Sequence, residues 1–571
     1  MEKKSYLEVL AALEQFVAYA MKFSFKKETP SGETKNHKIS GIRIAYQESD
    51  ISQQMFSEGE DYGLKRIPKA PEVLVMLFYD HYFVEKGVKK SKHVVTSKAF
   101  SSPVFSGTQG LLRHLKAGLP YLVDSLFDDF YASKLEDNIY AIEAVSDVEK
   151  LTDAAFEVEY LTKFSQKLLK KVCNLTQELY QIPCVSDATF TLSSQRQLWI
   201  VVDHRGQRII NKRDLFVMSM SLVLVNRKKE HIHFSDSVMT KTCDEMDRSL
   251  PKIRDQIQNF LFSKERNQLE SGIYPLIFAP SAVGTLFHEA LAGHMLSGRY
   301  IAEGISTVFK SKIGKQIATD GFMKALKDLE IWDCPRDEEM LASYCYDMEG
   351  SSSQDVLLID RGKVLHYLHS KNSSARLNCH NNGHALGGNF IQKYRINNQD
   401  VETVALPEPR VSNLKIIGLD TISLEAIKQR YFDHFGYYLW VESKSGQVLV
   451  ESGTFELEIE SVVKVYSDGT KEYFHGGKFS ANLTDFLDAI QVVSDYYGRC
   501  QGFCGAESGW VPTEESAPAM AIYGVNWIPD DLPEPDILVN LKRDKHLSEE
   551  QVEQGFEYEV KSKTKKIKKT E

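Results

Sequence analysis

Short strand-like segments that end at glycine-containing turns dominate the second half of the chain. Residues 454–466 run into Ser467-Asp468-Gly469, and residues 355–359 run into Asp360-Arg361-Gly362. Turns of this composition join neighbouring antiparallel strands. Two further segments of the same kind are residues 363–368 and 446–450. The pattern therefore predicts a β-rich region built from paired antiparallel strands.

The first half mixes helical and strand patterns, which predicts a layered domain with helices packed on a sheet. Strands are predicted at residues 72–84, 197–203 and 215–225. Apolar residues at helical spacing predict helices over residues 148–180 and 236–268. We expect Pro251 to kink or break the second helix, which would connect the two halves.

The length of 571 residues exceeds what one hydrophobic core supports, because cores stop growing at roughly 250–300 residues. We predict an α+β protein, with an N-terminal α/β domain over residues 1–265 and a β-rich domain over residues 266–540. Residues 541–571 contain the lysine-rich run KSKTKKIKKT, which predicts a disordered tail.

Charge and hydropathy argue against several classes of protein. The chain has 69 Lys and Arg against 79 Asp and Glu, and its net charge of −10 argues against a nucleic-acid partner. Its longest apolar run, residues 215–225, is about half the roughly 20 residues that a membrane helix needs. Glu8 and Glu14 interrupt the apolar start, which favours an amphipathic helix over a signal peptide. We expect no membrane partner.

The eight cysteines contain no CxxC pair and form no dense framework. Scattered cysteines of this kind are typical of proteins whose thiols stay reduced. We therefore expect a cytoplasmic protein.

The segment Tyr274–Tyr300, YPLIFAPSAVGTLFHEALAGHMLSGRY, carries the clearest chemical pattern. A strand, a Pro-Ser pair and a helix around residues 282–297 are predicted to present His288 and Glu289 side by side. Neutral imidazole is a good zinc ligand, and a carboxylate beside a metal can take a proton from water. His288, Glu289 and His294 are therefore candidates for metal-dependent hydrolysis.

The spacing of the two histidines differs from the usual four residues of a zinc-binding helix. Six residues correspond to about 240° of rotation on a regular helix, so the imidazoles would face different sides. A π-bulge or a helix end at Ala292–Gly293 would bring His294 back towards His288. The alternative is an ordinary helix on which both histidines are merely polar residues.

A second segment, Arg499–Trp527, adds a cysteine to this pattern, and with it the chain resembles the TldD/PmbA metallopeptidases, also called modulators of DNA gyrase. His288 matches the family's first metal ligand, Glu289 its catalytic glutamate, and Gly293-His294 its second ligand. Cys504-Gly505 matches its late CGKxGQxVP-like segment, whose cysteine is the third ligand. The resemblance covers about residues 270–530.

Other stretches of the chain match family motifs and occur in the same order as in the family. The chain also departs from the family in three ways. The matching stretches are Tyr346–Gly350, Ala375–Asn378, Asn382-Gly383, Val411–Asn413, and Gly509 with Val511-Pro512. This chain has one residue more between its histidines, Ser297 replaces a glutamate, and Ala506 replaces the lysine of CGK.

The resemblance implies a zinc-dependent peptidase that hydrolyses short or unfolded peptides. Its metal ligands would be His288, His294 and Cys504, and Glu289 would activate water. The resemblance also implies a dimer, formed either with an identical chain or with a paralogue. The alternative is a catalytically inactive, PmbA-like subunit that binds peptides without metal.

Three other groups of residues are weaker candidates. His380 and His384 are four residues apart, but Asn381-Asn382-Gly383 between them predicts an exposed loop rather than a ligand pair. His231 and His233 share one face of a predicted strand. Cys500 could replace Cys504 as a ligand, but the spacing to Val511-Pro512 favours Cys504.

Overall fold

The structure, a computed structural model, describes residues 3–28, 34–85, 88–101, 107–132, 149–225, 229, 231–263, 268–316, 327–396 and 399–529. None of the helices in these ranges is long and apolar enough to cross a membrane. The predicted tail at residues 541–571 lies outside the described residues.

Strands outnumber helices in the described ranges. The strands are β1 (Lys3–Ser5), β2 (Ser24–Glu28), β3 (Thr34–Lys38), β4 (Gly41–Ser57), β5 (Glu60–Pro68), β6 (Glu72–Glu85), β7 (Val88–Ser101), β8 (Glu157–Glu159), β9 (Val185–Asp203), β10 (Arg208–Val225), β11 (His231–Thr240), β12 (Gly272–Ile273), β13 (Leu276–Phe278), β14 (Leu329–Asp333), β15 (Val356–Asp360), β16 (Lys363–Val364), β17 (Ala385–Leu386), β18 (Ile391–Ile396), β19 (Gln399–Val404), β20 (Glu408–Pro409), β21 (Asn413–Gly418), β22 (Tyr437–Leu449), β23 (Thr454–Tyr466), β24 (Lys471–Asn482), β25 (Ile490–Ala506), β26 (Gly509–Ile522) and β27 (Asn526–Pro529). The α-helices are α1 (Leu7–Ala20), α2 (Gly107–Ala132), α3 (Gln166–Tyr180), α4 (Cys243–Ser263), α5 (Pro280–Phe287), α6 (Gly298–Glu303), α7 (Lys371–Leu377), α8 (Leu424–Phe435) and α9 (Leu483–Ala489).

The first half of the chain forms a sheet in the order β11-β10-β9-β4-β6-β7, with β5 paired to β4, and all its neighbours are antiparallel. Alternation along each strand gives the sheet two apolar faces. Ile44 and Ile200 lie in a core with α1 and α2. Their neighbours Ala45 and Trp199 lie on the opposite face, in a cluster with residues of the second half that include Cys504. The second half therefore covers one face of the first sheet.

The second half forms a mixed sheet in the order β12-β27-β24-β23-β22-β13-β26-β21-β14-β15-β16, with β25 paired to β26. Most neighbours are antiparallel, as the turn pattern predicts, but β13 pairs in parallel with β22 and β21 pairs in parallel with β26. The short strand β13 therefore lies at the centre of the sheet. Helix α5 follows it directly and packs on β22, β25 and β26.

The predicted α+β class is confirmed. We propose the domain boundary at residues 265 and 266, because the two cores of the first half use residues between Tyr6 and Ile257. The main core of the second half uses residues between Leu269 and Trp527.

Two predicted helices are wrong in part. Residues 153–156 form a 3₁₀ turn and residues 157–159 a strand, and α3 begins only at Gln166. The reason is an N-cap, since the Ser165 side chain accepts a hydrogen bond from Leu168 N.

The second helix was expected from residue 236, but residues 236–240 belong to β11. They pair there with β10, so the sheet overrides the helical spacing. Helix α4 instead runs from Cys243 to Ser263 and continues through Pro251 rather than ending there.

Candidate metal centre

A π-helical turn positions the two histidines. Helix α5 ends at Phe287, and residues His288–Ala292 continue as π-helix. Gly293 N donates to His288 O at 2.8 Å, five residues back instead of four. This wider turn absorbs the extra residue between His288 and His294, and it confirms the predicted bulge. The helix predicted around residues 282–297 is therefore an α-helix only as far as Phe287, and the alternative of an ordinary helix through both histidines is wrong.

Three side chains from distant parts of the second half converge at this turn. One ligand atom each from His288, His294 and Cys504 lie within 4.8 Å of one another. Cys504 lies near the end of β25, beside β26. His288 and Cys504 are 4% and 6% exposed, whereas the His294 side chain is 17% exposed. The site is therefore closed on the His288 side and open to solvent near His294.

The residue at position 293 must be small. A Cβ atom on Gly293 would lie 2.8 Å from Nε2, Cδ2 and the carbonyl oxygen of His288. Real Cβ atoms do not approach other atoms this closely, so a side chain would displace the His288 ring. Glycine at this position allows the π-helical turn and the His288 imidazole to coexist.

A buried carboxylate orients the first histidine. Glu515, on β26, is 4% exposed and its Oε1 lies 2.8 Å from His288 Nδ1. Because this contact occupies Nδ1, Nε2 is the nitrogen left for a metal. Metal-binding histidines in proteins commonly have a carboxylate on their second nitrogen.

The charges of the site favour a thiolate at Cys504. Burial alone raises the pKa of this thiol, but Arg410 and the two histidines outweigh burial and bring the pKa well below its usual value. Arg410 is itself buried and donates to the Cys504 backbone oxygen at 2.6 Å. The thiolate is the form that binds metals.

Nearby negative groups also raise the pKa values of the two imidazoles. Burial lowers the pKa of His294, whereas Cys504 and Glu289 raise it to about 9. Burial likewise lowers the pKa of His288, but Cys504 and Glu515 raise it well above its usual value. The thiol and the two imidazoles therefore favour each other's charged forms, and metal binding would release the imidazole protons.

Glu289 borders the site without joining the group of three. Its Oε2 lies 3.5 Å from His294 Nε2, and its side chain is 20% exposed. A Cβ atom on Gly446 of β22 would lie 3.0 Å from Glu289 Cγ, so the glycine leaves room for the carboxylate. Glu289 therefore has access to both His294 and solvent, as a group that exchanges protons requires.

The residues present fit a zinc ion. Imidazole and thiolate both serve as ligands in catalytic zinc sites, and three protein ligands leave a fourth position open. Zinc requires nitrogen at about 2.0–2.1 Å and sulfur at about 2.3 Å, so ligand atoms lie about 3.5 Å apart. The separations here are up to 4.8 Å, so the widest one exceeds this value by about 1.3 Å.

The weaker candidates lie elsewhere. His380 is exposed, but the predicted exposed position of His384 is wrong, because His384 is fully buried. Its Nε2 lies 2.9 Å from Asp333 Oδ2, at ion-pair distance but without hydrogen-bond angles. Its Nδ1 lies 3.0 Å from Asn382 Oδ1. His384 is therefore buried in contact with the buried side chains of Asp333 and Asn382.

The remaining candidates do not enlarge the site. His231 and His233 are exposed on β11. Cys500 lies opposite Glu515 in the pairing of β25 with β26, but it does not belong to the converging group of described residues.

The sequence prediction missed Glu515 and Arg410. Both had a detectable signal, since Glu514-Glu515 are consecutive acids in an otherwise uncharged strand and Arg410 directly precedes the Val411–Asn413 match. Neither signal says which atom a buried charge contacts, because both contacts join residues far apart in the chain.

The second half of the chain is similar in sequence to a known protein family. The sequence model of the PmbA/TldA metallopeptidase C-terminal domain matches residues 271–526. A curated relative from Saccharolobus solfataricus, a zinc metalloprotease TldD homolog, is 28% identical over 254 residues, which is 44% of this chain and 51% of the relative. The chain thus matches about half the length of that relative.

Solved structures share the whole fold at low identity. One is TldE from Thermococcus kodakarensis, with a TM-score of 0.58, 14% identity, and coverage of 90% of this chain and 100% of that one. Another, from Bacteroides thetaiotaomicron, is described as a modulator of DNA gyrase, with a TM-score of 0.61, 11% identity, and coverage of 91% and 99%.

Proposed function

We propose that this chain is a zinc-dependent peptidase of the TldD/PmbA family, on the basis of its motifs and of the family match over residues 271–526. His288, His294 and Cys504 would hold the zinc, and Glu289 would be the catalytic residue. The convergence of the three ligand atoms within 4.8 Å carries this proposal.

Zinc in this position would supply a Lewis acid that polarises a peptide carbonyl and makes water a better nucleophile at neutral pH. Glu289 would take the proton of the attacking water and later give it to the leaving amine. Glu515 would keep the His288 ring oriented through Nδ1. Arg410 would hold the Cys504 backbone and favour the thiolate.

We further propose that the substrates are short or unfolded peptides bound in extended form. Main-chain hydrogen bonds of such a peptide to a sheet edge tolerate many sequences. All eight cysteines are free thiols, which supports a cytoplasmic location. The family resemblance also implies a dimer, which we propose is formed with an identical chain or with a paralogue.

Metal analysis of the purified chain tests the proposal. We expect about one zinc per chain, and we expect His288→Ala and Cys504→Ala to lose both the zinc and peptide hydrolysis. Cys500→Ala is the matched control, because Cys500 is also buried on β25 but lies outside the converging group. A Cys504→Ala variant that keeps its zinc would remove Cys504 from the site. A wild-type chain that binds no zinc would instead indicate the metal-free partner subunit.

A further inference from the structure

A small pocket lies between the two halves of the molecule, separate from the metal centre. Its volume is about 230 Å³. Arg213 of β10 and Gln197 of β9 line it from the first half, and Gln392, Phe503 and Trp510 line it from the second. Phe503 and Cys504 are successive residues of β25, so their side chains leave opposite faces of the strand. The pocket therefore lies behind the metal centre, on the same hairpin.

The pocket wall is positively charged. Lys69, Arg196 and Arg213 all line it, and the described residues of the lining include no carboxylate. Arg196 is neutralised, because Asp214 contacts its guanidinium at 2.6 Å. Lys69 is exposed and lies at the mouth. Arg213 is therefore the buried charge that the pocket leaves uncompensated.

Arg213 is 3% exposed and is held by neutral groups. Its NH2 nitrogen donates to Gln197 Oε1 at 2.7 Å, and its guanidinium lies 5.7 Å from the centre of the Trp199 ring. Its Nε and NH1 nitrogens have no hydrogen-bond partner among the described residues. Burial lowers the pKa of Arg213 to about 10, so the group stays charged at neutral pH.

On the opposite wall of the pocket, a second hydrogen-bond donor also has no partner among the described residues. Gln392 Nε2 is buried and makes no hydrogen bond within the described part of the chain. A Cβ atom on Gly509 would lie 2.6 Å from this nitrogen, so the glycine leaves space for the amide. Donors that lack acceptors thus lie on both sides of the pocket.

Burying an uncompensated cation costs free energy, and proteins normally give such a group a carboxylate partner. We propose that the pocket binds a carboxylate group, with Arg213 as the charged donor and Gln392 as a further donor. Guanidinium matches the two oxygens of a carboxylate. The volume suits a small carboxylate or the terminal carboxylate of a peptide. The proposal is independent of zinc.

The test measures thermal unfolding of the full chain carrying Glu289→Gln, so that peptides stay intact. The probes are acetate, the peptide Ala-Ala-Ala with a free C-terminus, and the same peptide amidated, all at constant ionic strength. A ligand that binds the folded state raises the midpoint saturably. We expect this from acetate, from the free peptide, or from both, and not from the amidated peptide.

Arg213→Met should weaken binding about ten- to hundredfold, the range for a hydrogen bond to a charged group. Lys212→Met is the matched control, because Lys212 is the preceding residue and its side chain leaves the opposite face of β10. If Arg213→Met does not fold, Lys69→Met at the mouth should still weaken binding severalfold.

A free carboxylate is the ligand if acetate binds as tightly as the peptide, and a peptide terminus is the ligand if the peptide alone binds. The proposal is overturned if no carboxylate binds saturably or if the amidated peptide binds equally well. Unchanged affinity in both Arg213→Met and Lys69→Met would also overturn it.

Discussion

Two pairs of histidines in the second half of the chain differ in whether their side chains converge, and in both cases the outcome is the opposite of what the residue spacing predicts. His380 and His384 are four residues apart, the spacing of a zinc-binding helix, but one is exposed and the other is buried against Asp333. His288 and His294 are six residues apart, yet they face a common thiol. The difference lies in the backbone, because a turn separates the first pair and a π-helical turn closes the second.

The comparison teaches that residue spacing predicts a site only together with the local conformation. A regular helix would have separated His288 from His294 by about 240°. One five-residue hydrogen bond, from Gly293 N to His288 O, changes that outcome. The pair at the π-helical turn should therefore act in chemistry, and His384 should act in stability.

The largest expected effect is on turnover. Glu289→Gln should lower kcat by about 10²- to 10⁴-fold, because the amide cannot take a proton from water. Zinc content should stay unchanged, since Glu289 lies outside the group of three converging side chains. Peptide hydrolysis and metal analysis on one preparation test both statements, and Glu442→Gln, an exposed acid on β22, is the control. Undiminished turnover would exclude Glu289 as the proton acceptor.

The second effect is on stability and concerns the other pair. His384→Ala should lower the free energy of unfolding by about 1–3 kcal/mol, because it removes a fully buried side chain that contacts Asp333 and Asn382. Zinc content should not change. Denaturant unfolding measures the loss. A variant that loses zinc without losing stability would break the distinction between the two pairs.

The third effect tests the π-helical turn itself. Gly293→Ala should displace the His288 ring and weaken zinc binding about tenfold, because the new methyl group costs about 1–3 kcal/mol of strain. Zinc affinity is measured by competition with a chelator. Gly502→Ala on β25 is the matched control, since a Cβ atom there meets its nearest neighbour at 3.9 Å. Equal affinity in both variants would show that the close approach does not matter.

The smallest effect is expected at the exposed histidine. His380→Ala should change the free energy of unfolding by less than about 0.5 kcal/mol and leave zinc content unchanged, as is usual for surface substitutions. Measured beside His384→Ala, it separates the two members of the pair. A loss of zinc in His380→Ala would show that this histidine contributes to metal binding, against the prediction.

Much of the fold was predictable because its signals are local. The strand Thr454–Tyr466 has the predicted bounds, and the predicted strand at residues 72–84 is shorter than β6 by a single residue. The helix expected over residues 148–180 failed because one serine, Ser165, starts α3 late. The spacing of apolar residues does not show where a helix starts, so the start of α3 could be predicted only by recognising Ser165 as its N-cap.

The site was predictable in part for the same reason. Neighbouring residues predict the bulge at Gly293, and family motifs join Cys504 to the histidines. The contact of Glu515 with His288 and the burial of His384 against Asp333 depend on strand pairing between distant segments. No local pattern encodes that pairing.

The position of the three proposed ligands along the chain also bears on biosynthesis. The histidines follow β13, whereas Cys504 comes near the end of β25, and the two regions meet only when β26 pairs with β13. A growing chain leaves the ribosome from its N-terminus, so the histidines emerge long before the cysteine. On the proposed function, a nascent chain therefore has no complete active site. The peptidase could not cleave its own unfolded segments during synthesis, and activity would begin only in chains that have been made almost to the end of the second sheet.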